Sequence, residues 1–336
     1  MRQFLETDPP RQILAIRFMR LGDVVLLLPA LGRLKAAYPA ARLTLLTDER
    51  CAPLAGMCPY VDEVITVDRL TMRDGPILGT LSAMARLVAD IRRRRFDLVI
   101  DFLSFRETNL LARLSGARYR LGMKRYRKAY LSWCFNLPPV LEDKQLHVAE
   151  MFRLVAAAAA QDRKAEAVLC DAPLVIPEAE RAWAAEAVPG GKIVTLYVGA
   201  PVAVRRWPAA HFARVADFVI EKFGASVAVL AGLPESESAR QVARLCAAQD
   251  RISVFTDVSI PQLAALIARS HVLVSNDTGP MHIGPAVGVP TLGLFSVGYP
   301  EHFRPTGERS RFLRANPIEN ISPASVMREI EEMWSA

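Results

Sequence analysis

The sequence lacks a hydrophobic run long enough to cross a membrane. Its longest apolar stretch near the amino terminus, residues 24 to 31, is interrupted by Pro29, whereas a membrane-spanning helix needs about 20 consecutive apolar residues. Glu6 and Asp8 precede any apolar core, which is unlike a signal peptide. We therefore expect a cytoplasmic protein.

Cysteine and histidine are both scarce, with five cysteines and five histidines. The cysteines are odd in number, widely spaced and without a CxxC pair, which argues against a disulfide framework or a zinc knuckle. The histidines lack the HExxH spacing of a helical zinc site. We therefore expect no metal in the mechanism, and we expect small core residues at Cys51, Cys58, Cys134, Cys170 and Cys246.

Positive charge is concentrated in the first half of the chain. The net charge is +7; residues 1 to 175 contain 27 basic and 19 acidic residues (+8), and residues 176 to 336 contain 15 and 16 (−1). This asymmetry indicates an anionic partner for the first half: nucleic acid, a membrane surface or an acidic glycan.

Short apolar runs alternate with longer helical patterns, which is typical of parallel α/β architecture. Hydrophobic residues make up 51% of the chain, enough for two cores, so we expect two Rossmann-like domains. Strands are predicted at 12–18, 43–47, 63–67, 97–102, 193–198, 226–232, 272–276 and 291–295. Helices are predicted at 23–37, 77–95, 105–114, 209–223, 235–249 and 260–269, with an alanine-rich helix ending near Ala160.

Proline and glycine cluster at residues 171 to 191, where we place the interdomain linker. The predicted N-terminal domain covers residues 1–175, and the predicted C-terminal domain covers residues 190–320. A last amphipathic helix, in the segment 321–336, is expected to pack back toward the N-terminal domain.

Ligands of parallel sheets bind beyond the carboxyl ends of the strands. This rule selects three segments: 19–23, 199–208 and 276–282. In the first, Asp23 follows Gly22 at the predicted start of a helix. Aspartate is a favoured helix N-cap, and the same carboxylate could instead accept the proton of an attacking hydroxyl. Residue type and position allow both roles.

The third segment reads SNDTGPMH, with Pro280 in the predicted first turn of a helix. Free amides at such a helix start form an anion site suited to a pyrophosphate. Asp277 and His282 could contact a sugar or a phosphate. The alternatives are a second N-cap and a histidine satisfied by a backbone group.

The second segment places Arg205 and Arg206 shortly after a predicted strand. Paired arginines are common on solvated surfaces, but at a strand end a guanidinium can bind phosphate oxygens and neutralise a departing nucleoside diphosphate. No GxxxxGK[ST] string is present, so the site is not a P-loop.

Three strings in order, RxxxLGDxxxxxPAL, RRWP and SNDTGPMH followed by AVGVPTLGLF, resemble glycosyltransferase family nine, the heptosyltransferases of the lipopolysaccharide inner core. The resemblance implies a GT-B fold, with two Rossmann-like domains facing each other across a cleft. The acceptor would lie on the N-terminal domain and the sugar nucleotide on the C-terminal one. The resemblance also implies inverting, metal-independent transfer, with an ADP-sugar as co-substrate and no cofactor.

On this resemblance Asp23 matches the family's proposed catalytic base, and Arg205 stands where the family usually has a phosphate-binding lysine. The donor-binding turn corresponds to Asp277, Thr278, Gly279 and His282, and Arg206 joins the predicted donor site. An acidic residue after the second strand of the donor domain would hold the ribose; Glu235 and Glu237 are both candidates.

The chain departs from the family pattern around the donor pocket. Arginine replaces lysine at position 205, which conserves charge but not geometry. Tyr197 and Val198 stand where His-Pro or Asn-Pro is frequent, and Ser296 replaces a common glycine. These changes affect the identity of the donated sugar more than the type of reaction.

Residues 113 to 128 contain seven basic residues and no acidic one. We expect Lys124, Arg125 and Arg127 to bind an anionic glycolipid acceptor. The alternatives are a solvated basic face and peripheral contact with anionic lipid of the inner membrane. Nucleic acid is disfavoured, because aromatic residues are few and no RNA-binding motif is present.

The sequence therefore predicts a transferase that moves heptose from ADP-heptose to an anionic lipopolysaccharide core acceptor. The nearest alternative is the same chemistry with another sugar nucleotide. A sugar-nucleotide epimerase and a non-catalytic sugar-nucleotide-binding module are more distant alternatives.

Overall fold

The structure is a computed structural model that describes residues 8–18, 20–68, 76–160 and 173–335. The chain divides into two compact units, Met1–Pro173 and Leu174–Ala336. Met19, Cys170 and residues 171–172 of the predicted linker lie outside the described residues.

The N-terminal unit is built on a parallel six-stranded sheet. Its strands are β1 (Gln12–Ile16), β2 (Arg42–Asp48), β3 (Glu63–Val67), β4 (Leu98–Asp101), β5 (Tyr119–Lys124) and β6 (Val140–Leu141). They pair in the order β3-β2-β1-β4-β5-β6. The central strands β1 and β4 are apolar on both faces because both faces are covered.

The helices of this unit are α1 (Leu21–Ala37), α2 (Ala52–Gly56), α3 (Ile77–Arg93), α4 (Arg106–Leu114) and α5 (Val148–Ala160), with short 3₁₀ turns at Glu49–Cys51 and Ser132–Cys134. Helix α1 packs against α5, and the Tyr38 hydroxyl after α1 donates to the carbonyl of Ala159 at 2.9 Å. These contacts hold α1 against α5 within the N-terminal unit.

The C-terminal unit repeats the architecture. Its strands are β7 (Ile193–Tyr197), β8 (Ser226–Leu230), β9 (Ile252–Phe255), β10 (Val272–Asn276), β11 (Thr291–Phe295) and β12 (Arg311–Arg314), paired in parallel in the order β12-β11-β10-β7-β8-β9. Its helices are α6 (Glu178–Ala187), α7 (Ala209–Phe223), α8 (Ser236–Leu245), α9 (Ile260–Ala268), α10 (Ile283–Ala286), α11 (Pro300–Phe303) and α12 (Pro323–Ser335).

Local sequence signals explain several helix ends in this unit. Helix α9 begins with a capping box, in which Ser259 accepts from the Gln262 amide and the Gln262 side chain accepts from the Ser259 amide. Helix α7 ends at Gly224, whose φ of 64° suits glycine. Within the described ranges, no helix combines the length and apolar character that a bilayer-spanning segment requires.

The predicted α/β architecture with parallel sheets is confirmed, but the sequence patterns missed several strands. β5 lies inside the basic segment, where arginine and lysine obscure the apolar alternation. β9 and β12 lie at the two edges of their sheet and are partly exposed, so they lack the continuous apolar run of a central strand.

The predicted linker contains a helix. Residues 178 to 187, EAERAWAAEA, form α6 because alanine and glutamate are strong helix formers. Helix α6 packs against α9, and the Trp183 ring meets the Phe255 ring edge-on with centroids 6.0 Å apart. The stretch 171–191, predicted as the interdomain linker, therefore includes a helix that packs within the C-terminal unit.

The last helix, α12, packs within its own unit. Val326, Ile330 and Met333 join the core of the C-terminal unit, and Trp334 stacks on Phe223 of α7 with centroids 4.3 Å apart. The apolar side of α12 therefore packs on α7 within its own unit, and its packing toward the N-terminal domain stays a prediction.

The buried Ile330 generates a stability prediction. Ile330→Ala should destabilise the C-terminal unit by about 2–5 kcal/mol, because it leaves a cavity in the core. Arg328→Ala, on the exposed side of the same helix, should change stability by less than about 0.5 kcal/mol. Urea unfolding followed by tryptophan fluorescence measures both variants, since three of the four tryptophans lie in this unit. Equal midpoints would contradict the packing of α12.

Candidate active-site residues

Both sheets have a topological switch point, where the strand order reverses. In the N-terminal unit the switch point lies between β1 and β4, and in the C-terminal unit it lies between β7 and β10. Ligands of open parallel sheets bind beyond the carboxyl ends of such neighbouring strands. The segments predicted from the sequence follow β1, β7 and β10, so each lies at a switch point.

Asp23 forms an ion pair with Arg17 at the first switch point. An Nη2 hydrogen of Arg17 is donated to Oδ1 of Asp23 at 2.6 Å, and Nη1 donates to the carbonyl of Phe102, just after β4, at 2.9 Å. The Arg17 guanidinium also lies 4.7 Å from the centre of the Phe152 ring. The Arg17 and Asp23 side chains are 8% and 17% exposed. Arg17 thus holds the carboxylate across the switch point.

The start of helix α1 excludes one of the two roles considered for Asp23, that of the N-cap residue. Helix α1 begins at Leu21 with Arg20 as its N-cap residue, so Asp23 lies inside the first turn and the N-cap interpretation is wrong. Oδ2 of Asp23 has no hydrogen-bond partner among the described residues. One carboxylate oxygen is therefore fixed, and the other is available to a substrate hydroxyl.

Arg17 belongs to the RxxxLGD string, but its role was not identified from the sequence. Burial lowers the pKa of the Arg17 guanidinium, the charge of Asp23 opposes this effect, and the charge of Arg125 adds to the lowering. A buried arginine without its carboxylate would be strongly unfavourable. The sequence signal that could have identified this role is the arginine six residues before Asp23 in the RxxxLGD string.

A second carboxylate at this edge, Asp101, is structural. It is fully buried and accepts from the amides of Leu103 and Ser104 and from the side-chain amide of Asn109. Burial raises the pKa of Asp101, and these hydrogen bonds oppose the rise. Oδ1 of Asn109 in turn accepts from the Leu131 amide at 3.0 Å, so the network anchors the loop after β5.

The three predicted acceptor-binding cations lie at the end of β5 and have different environments. Arg125 is partly buried, lies 3.6 Å from Glu142 and packs over the Phe105 ring. Lys124 and Arg127 are exposed, and Arg127 stacks on Tyr126. The charge of Arg125 contributes to the lowered pKa of Arg17, so Arg125 lies within electrostatic range of the Arg17 and Asp23 pair.

Arg205 forms an ion pair with Asp277 at the second switch point. Nη1 of Arg205 lies 3.0 Å from Oδ2 of Asp277 and also donates to the Asp277 carbonyl at 3.4 Å. Their side chains are 28% and 13% exposed. The backbone approaches the pair at Gly298, which adopts a φ of 107°. The structure thus brings together two residues that the sequence placed 72 positions apart.

Asn276 connects the loops that carry these residues. Its Oδ1 accepts from the Trp207 amide at 3.1 Å, and its Nδ2 donates to the Val198 carbonyl at 2.8 Å. The Ser296 hydroxyl donates to the Val204 carbonyl, which links the end of β11 to the same loop. Neither role was identified from the sequence, although Asn276 belongs to the SNDTGPMH string and Ser296 directly follows the AVGVPTLGLF string.

The two candidate ribose-binding glutamates have different surroundings. Glu235 is 11% exposed and lies 3.8 Å from Arg206, whose Nε donates to the Ala200 carbonyl. Burial, then the charge of Glu235, raises the pKa of Tyr197 to about 12, so this carboxylate lies close to the end of β7. Glu237 is 70% exposed and pairs with Arg244 on α8. The structure therefore favours Glu235.

The turn after β10 is less helical than predicted. Gly279–His282 form one 3₁₀ turn and Ile283–Ala286 one α-helical turn, because Gly284 and Pro285 disfavour a longer helix. The helix dipole is correspondingly small. The buried Thr278 hydroxyl has no protein partner among the described residues and can serve a ligand. His282 is 6% exposed, directly behind the turn.

The part of the chain that the structure describes contains no group of three or more histidine, cysteine or acidic side chains arranged to hold a metal ion. Cys51, Cys58, Cys134 and Cys246 are buried thiols, as expected of small core residues; Cys170 is outside the described residues.

Residues 84–334 match the model of glycosyltransferase family 9 (heptosyltransferase). The chain belongs to this family. The predicted family membership is therefore confirmed, and the protein is a glycosyltransferase.

The relatives extend the similarity over nearly the whole chain. Lipopolysaccharide heptosyltransferase 1 of Pseudomonas aeruginosa is 28% identical over 308 residues, which cover 86% of this chain and 79% of that protein. The family 9 glycosyltransferase structure from Veillonella parvula has a TM-score of 0.82 at 23% identity, covering 97% of both chains. The Escherichia coli heptosyltransferase WaaC with ADP has a TM-score of 0.77 at 20% identity, covering 96% of this chain and 99% of that one. These neighbours confirm the GT-B fold.

The hydrogen bonds of Asn276 generate a testable prediction. Asn276→Asp should destabilise the protein by about 1–3 kcal/mol, because a carboxylate cannot donate to the buried Val198 carbonyl. Asn320→Asp, at an exposed position of the same unit, is the matched control and should have little effect. Urea unfolding compares the two variants. A midpoint for Asn276→Asp equal to that of the control would show that Asn276 does not hold the loop.

Proposed function

We propose that this family 9 glycosyltransferase moves heptose from ADP-heptose to an anionic lipopolysaccharide core acceptor. The observation that carries the proposal is the family match over residues 84–334. The names of its relatives support the donor and acceptor: heptosyltransferases of lipopolysaccharide, one of them solved with ADP.

On the donor side, Arg205 and the turn at 277–279 would bind the pyrophosphate. The Arg205 guanidinium uses Nη1 for Asp277 and keeps further donors for phosphate oxygens. The Thr278 hydroxyl supplies another donor. Glu235 would accept hydrogen bonds from the ribose hydroxyls. Positive charge at this place stabilises the leaving nucleoside diphosphate as the sugar bond breaks.

On the acceptor side, Asp23 would remove the proton of the attacking hydroxyl. Oδ1 is held by Arg17, and Oδ2 would receive the proton. Attack by the acceptor oxygen on the anomeric carbon, from the face opposite the diphosphate, inverts the configuration there. Because Arg205 and the 277–279 turn supply the charge stabilisation, the proposed transfer needs neither a metal nor a cofactor.

The acceptor is proposed to be an anionic glycolipid. Arg125 would bind an anionic group of its sugar, because this partly buried side chain lies within electrostatic range of the Arg17 and Asp23 pair. The exposed Lys124 and Arg127, with the half-exposed Tyr126 between them, suit peripheral contact with anionic lipid at the cytoplasmic face of the inner membrane. No partner role for nucleic acid is proposed.

Other functions remain distinguishable by their products. Transfer from another sugar nucleotide would use the same residues, and the departures at Tyr197 and Ser296 adjoin the donor site. An epimerase would release an altered sugar nucleotide without an acceptor product. A non-catalytic binding module would release neither.

The proposal predicts a specific product. Mass spectrometry of reactions with a panel of sugar nucleotides and a delipidated core acceptor should show one heptose added from ADP-heptose, with EDTA present. Asp23→Asn should abolish this product while ADP affinity changes little, since the amide cannot act as a base.

The Asp23 test needs a control for the ion pair, because Asp23→Asn leaves Arg17 buried without its carboxylate. The double variant Arg17→Gln with Asp23→Asn removes both charges and should be folded and inactive. Thermal unfolding checks the fold of each variant. Near-wild-type turnover in a folded variant would exclude Asp23 as the base.

The two arginines after β7 should differ in their effect. Arg205→Ala should weaken ADP binding. It should also raise the activation free energy of transfer by about 2–4 kcal/mol, because the contact stabilises the charge that develops in the transition state. Arg205→Lys should retain part of the activity, because the charge stays. Arg206→Ala should have a smaller effect, since Arg206 hydrogen-bonds to the Ala200 carbonyl. Steady-state kinetics gives the ranking, and the reverse order would show the assignment to be wrong.

The basic segment should affect the acceptor and not the donor. Neutralising Lys124, Arg125 and Arg127 together should raise the acceptor KM by about tenfold or more, with the donor KM unchanged, and added salt should reproduce part of the effect. With a soluble acceptor, Arg125→Gln alone should account for most of the increase. If the triple variant fails only on membranes, the segment contacts lipid and does not bind the acceptor sugar.

A further inference from the structure

Arg50 is a second ordered cation at the edge of the sheet that carries Asp23. It lies in the 3₁₀ turn Glu49–Cys51, directly after β2, and β2 is the neighbour of β1 in the sheet. Because all strands of this sheet are parallel, the turn after β2 and the Asp23 segment after β1 lie at the same edge. Neither the family strings nor the proposed function assigns a role to Arg50.

Asp48 holds the Arg50 guanidinium in one orientation. Nε of Arg50 donates to Oδ1 at 2.7 Å, and Nη2 donates to Oδ2 at 2.8 Å. The Asp48 side chain is 2% exposed, whereas the Arg50 side chain is 59% exposed. A two-point contact to a buried carboxylate fixes both the direction and the plane of the guanidinium. The exposed guanidinium of Arg50 is therefore held in place by a carboxylate on its protein-facing side.

The pairing leaves the outer edge of the guanidinium available. Arginine has five N–H donors, and Asp48 receives one from Nε and one from Nη2. Both hydrogens of Nη1 and the second hydrogen of Nη2 have no partner among the described residues. The remaining Nη1 and Nη2 edge can, like the edge that holds Asp48, donate to two oxygens of a carboxylate or phosphate at once.

The 3₁₀ turn Glu49–Cys51, which carries Arg50, contacts helix α1, whose first turn carries Asp23. Cys51 in this turn is 4% exposed, and the charges of Asp48, Arg50 and Asp23 all act on its thiol. Burial raises the pKa of the Cys51 thiol to about 11; the charges of Asp48 and Asp23 add to the rise, and Arg50 opposes it. The base and the anchored cation thus act on the same small region.

We propose that Arg50, anchored by Asp48, binds an oxyanion of the acceptor, a carboxylate or a phosphate, so that the acceptor hydroxyl meets Asp23. The inference rests on the proposed function and extends it with a residue that selects for an anionic acceptor. Arg50 contacts the part of the acceptor that does not react, so it should affect acceptor binding more than the chemical step.

The experiment compares Arg50→Ala, Arg50→Lys and Asp48→Asn with a matched control, Arg42→Ala. Arg42 lies on the same strand at its opposite end, is 55% exposed and is also ion-paired, to Glu63. Arg42→Ala therefore also removes one positive charge, but at the edge of the sheet opposite to Asp23 and Arg50. The probes are a deacylated, soluble lipopolysaccharide core oligosaccharide and the same oligosaccharide after its phosphates are removed and its carboxyls are reduced.

Arg50→Ala should raise the KM of the charged acceptor about tenfold or more, with kcat within about twofold and the ADP-heptose KM unchanged. Arg50→Lys should show an intermediate KM, because a lysine has charge without the two-point edge. Asp48→Asn should raise the KM less than Arg50→Ala and should add nothing in the Arg50→Ala background. Against the neutralised acceptor, Arg50→Ala and wild type should have the same KM.

Calorimetric titration of the charged oligosaccharide in the presence of ADP gives the same comparison without turnover. Two results overturn the proposal: an acceptor KM in folded Arg50→Ala equal to that of Arg42→Ala, or an equal loss with the neutralised acceptor. If wild type binds the oligosaccharide but transfers no heptose, the donor assignment fails and the titration still tests Arg50. If wild type neither binds nor uses it, the proposed acceptor and the role of Arg50 are both wrong.

Discussion

Parallel pairing of all strands is the constraint on which the arrangement of this protein depends. Each strand ends at the same edge of its sheet, and most strands are connected to the next through a helix. Residues far apart in sequence therefore meet where the strand order reverses. Arg17 reaches the carbonyl of Phe102 in this way, and Arg205 reaches Asp277.

At both switch points a guanidinium orients a carboxylate, and the two partners depend on each other. The Arg17 and Asp23 side chains are mostly buried, so loss of one partner leaves the other as an uncompensated charge. In the Arg50 and Asp48 pair the roles are reversed: the buried carboxylate of Asp48 orients the exposed guanidinium of Arg50. Ordered charges of this kind need little rearrangement when a charged ligand binds.

Much of the fold followed from periodicity. Central strands such as β4 and β10 are continuous apolar runs, and their bounds were predicted within two residues. The strands that escaped prediction are edge strands or, like β5, are rich in arginine and lysine, because partial exposure removes the apolar signal. Helix α6 was missed because flanking proline and glycine suggested a linker, although its own residues favour a helix.

For the site, the sequence determined which residues follow the strands and which family the chain belongs to: Asp23, Arg205 and the turn at 277–279 were all identified from local strings. Only the tertiary structure decided what these residues contact. It showed that Asp23 pairs with Arg17 and does not cap a helix, favoured Glu235 over Glu237, and separated Arg125 from Lys124 and Arg127. A linear pattern records residue type and spacing, whereas burial and ion pairing arise between segments that meet only when the parallel strands align.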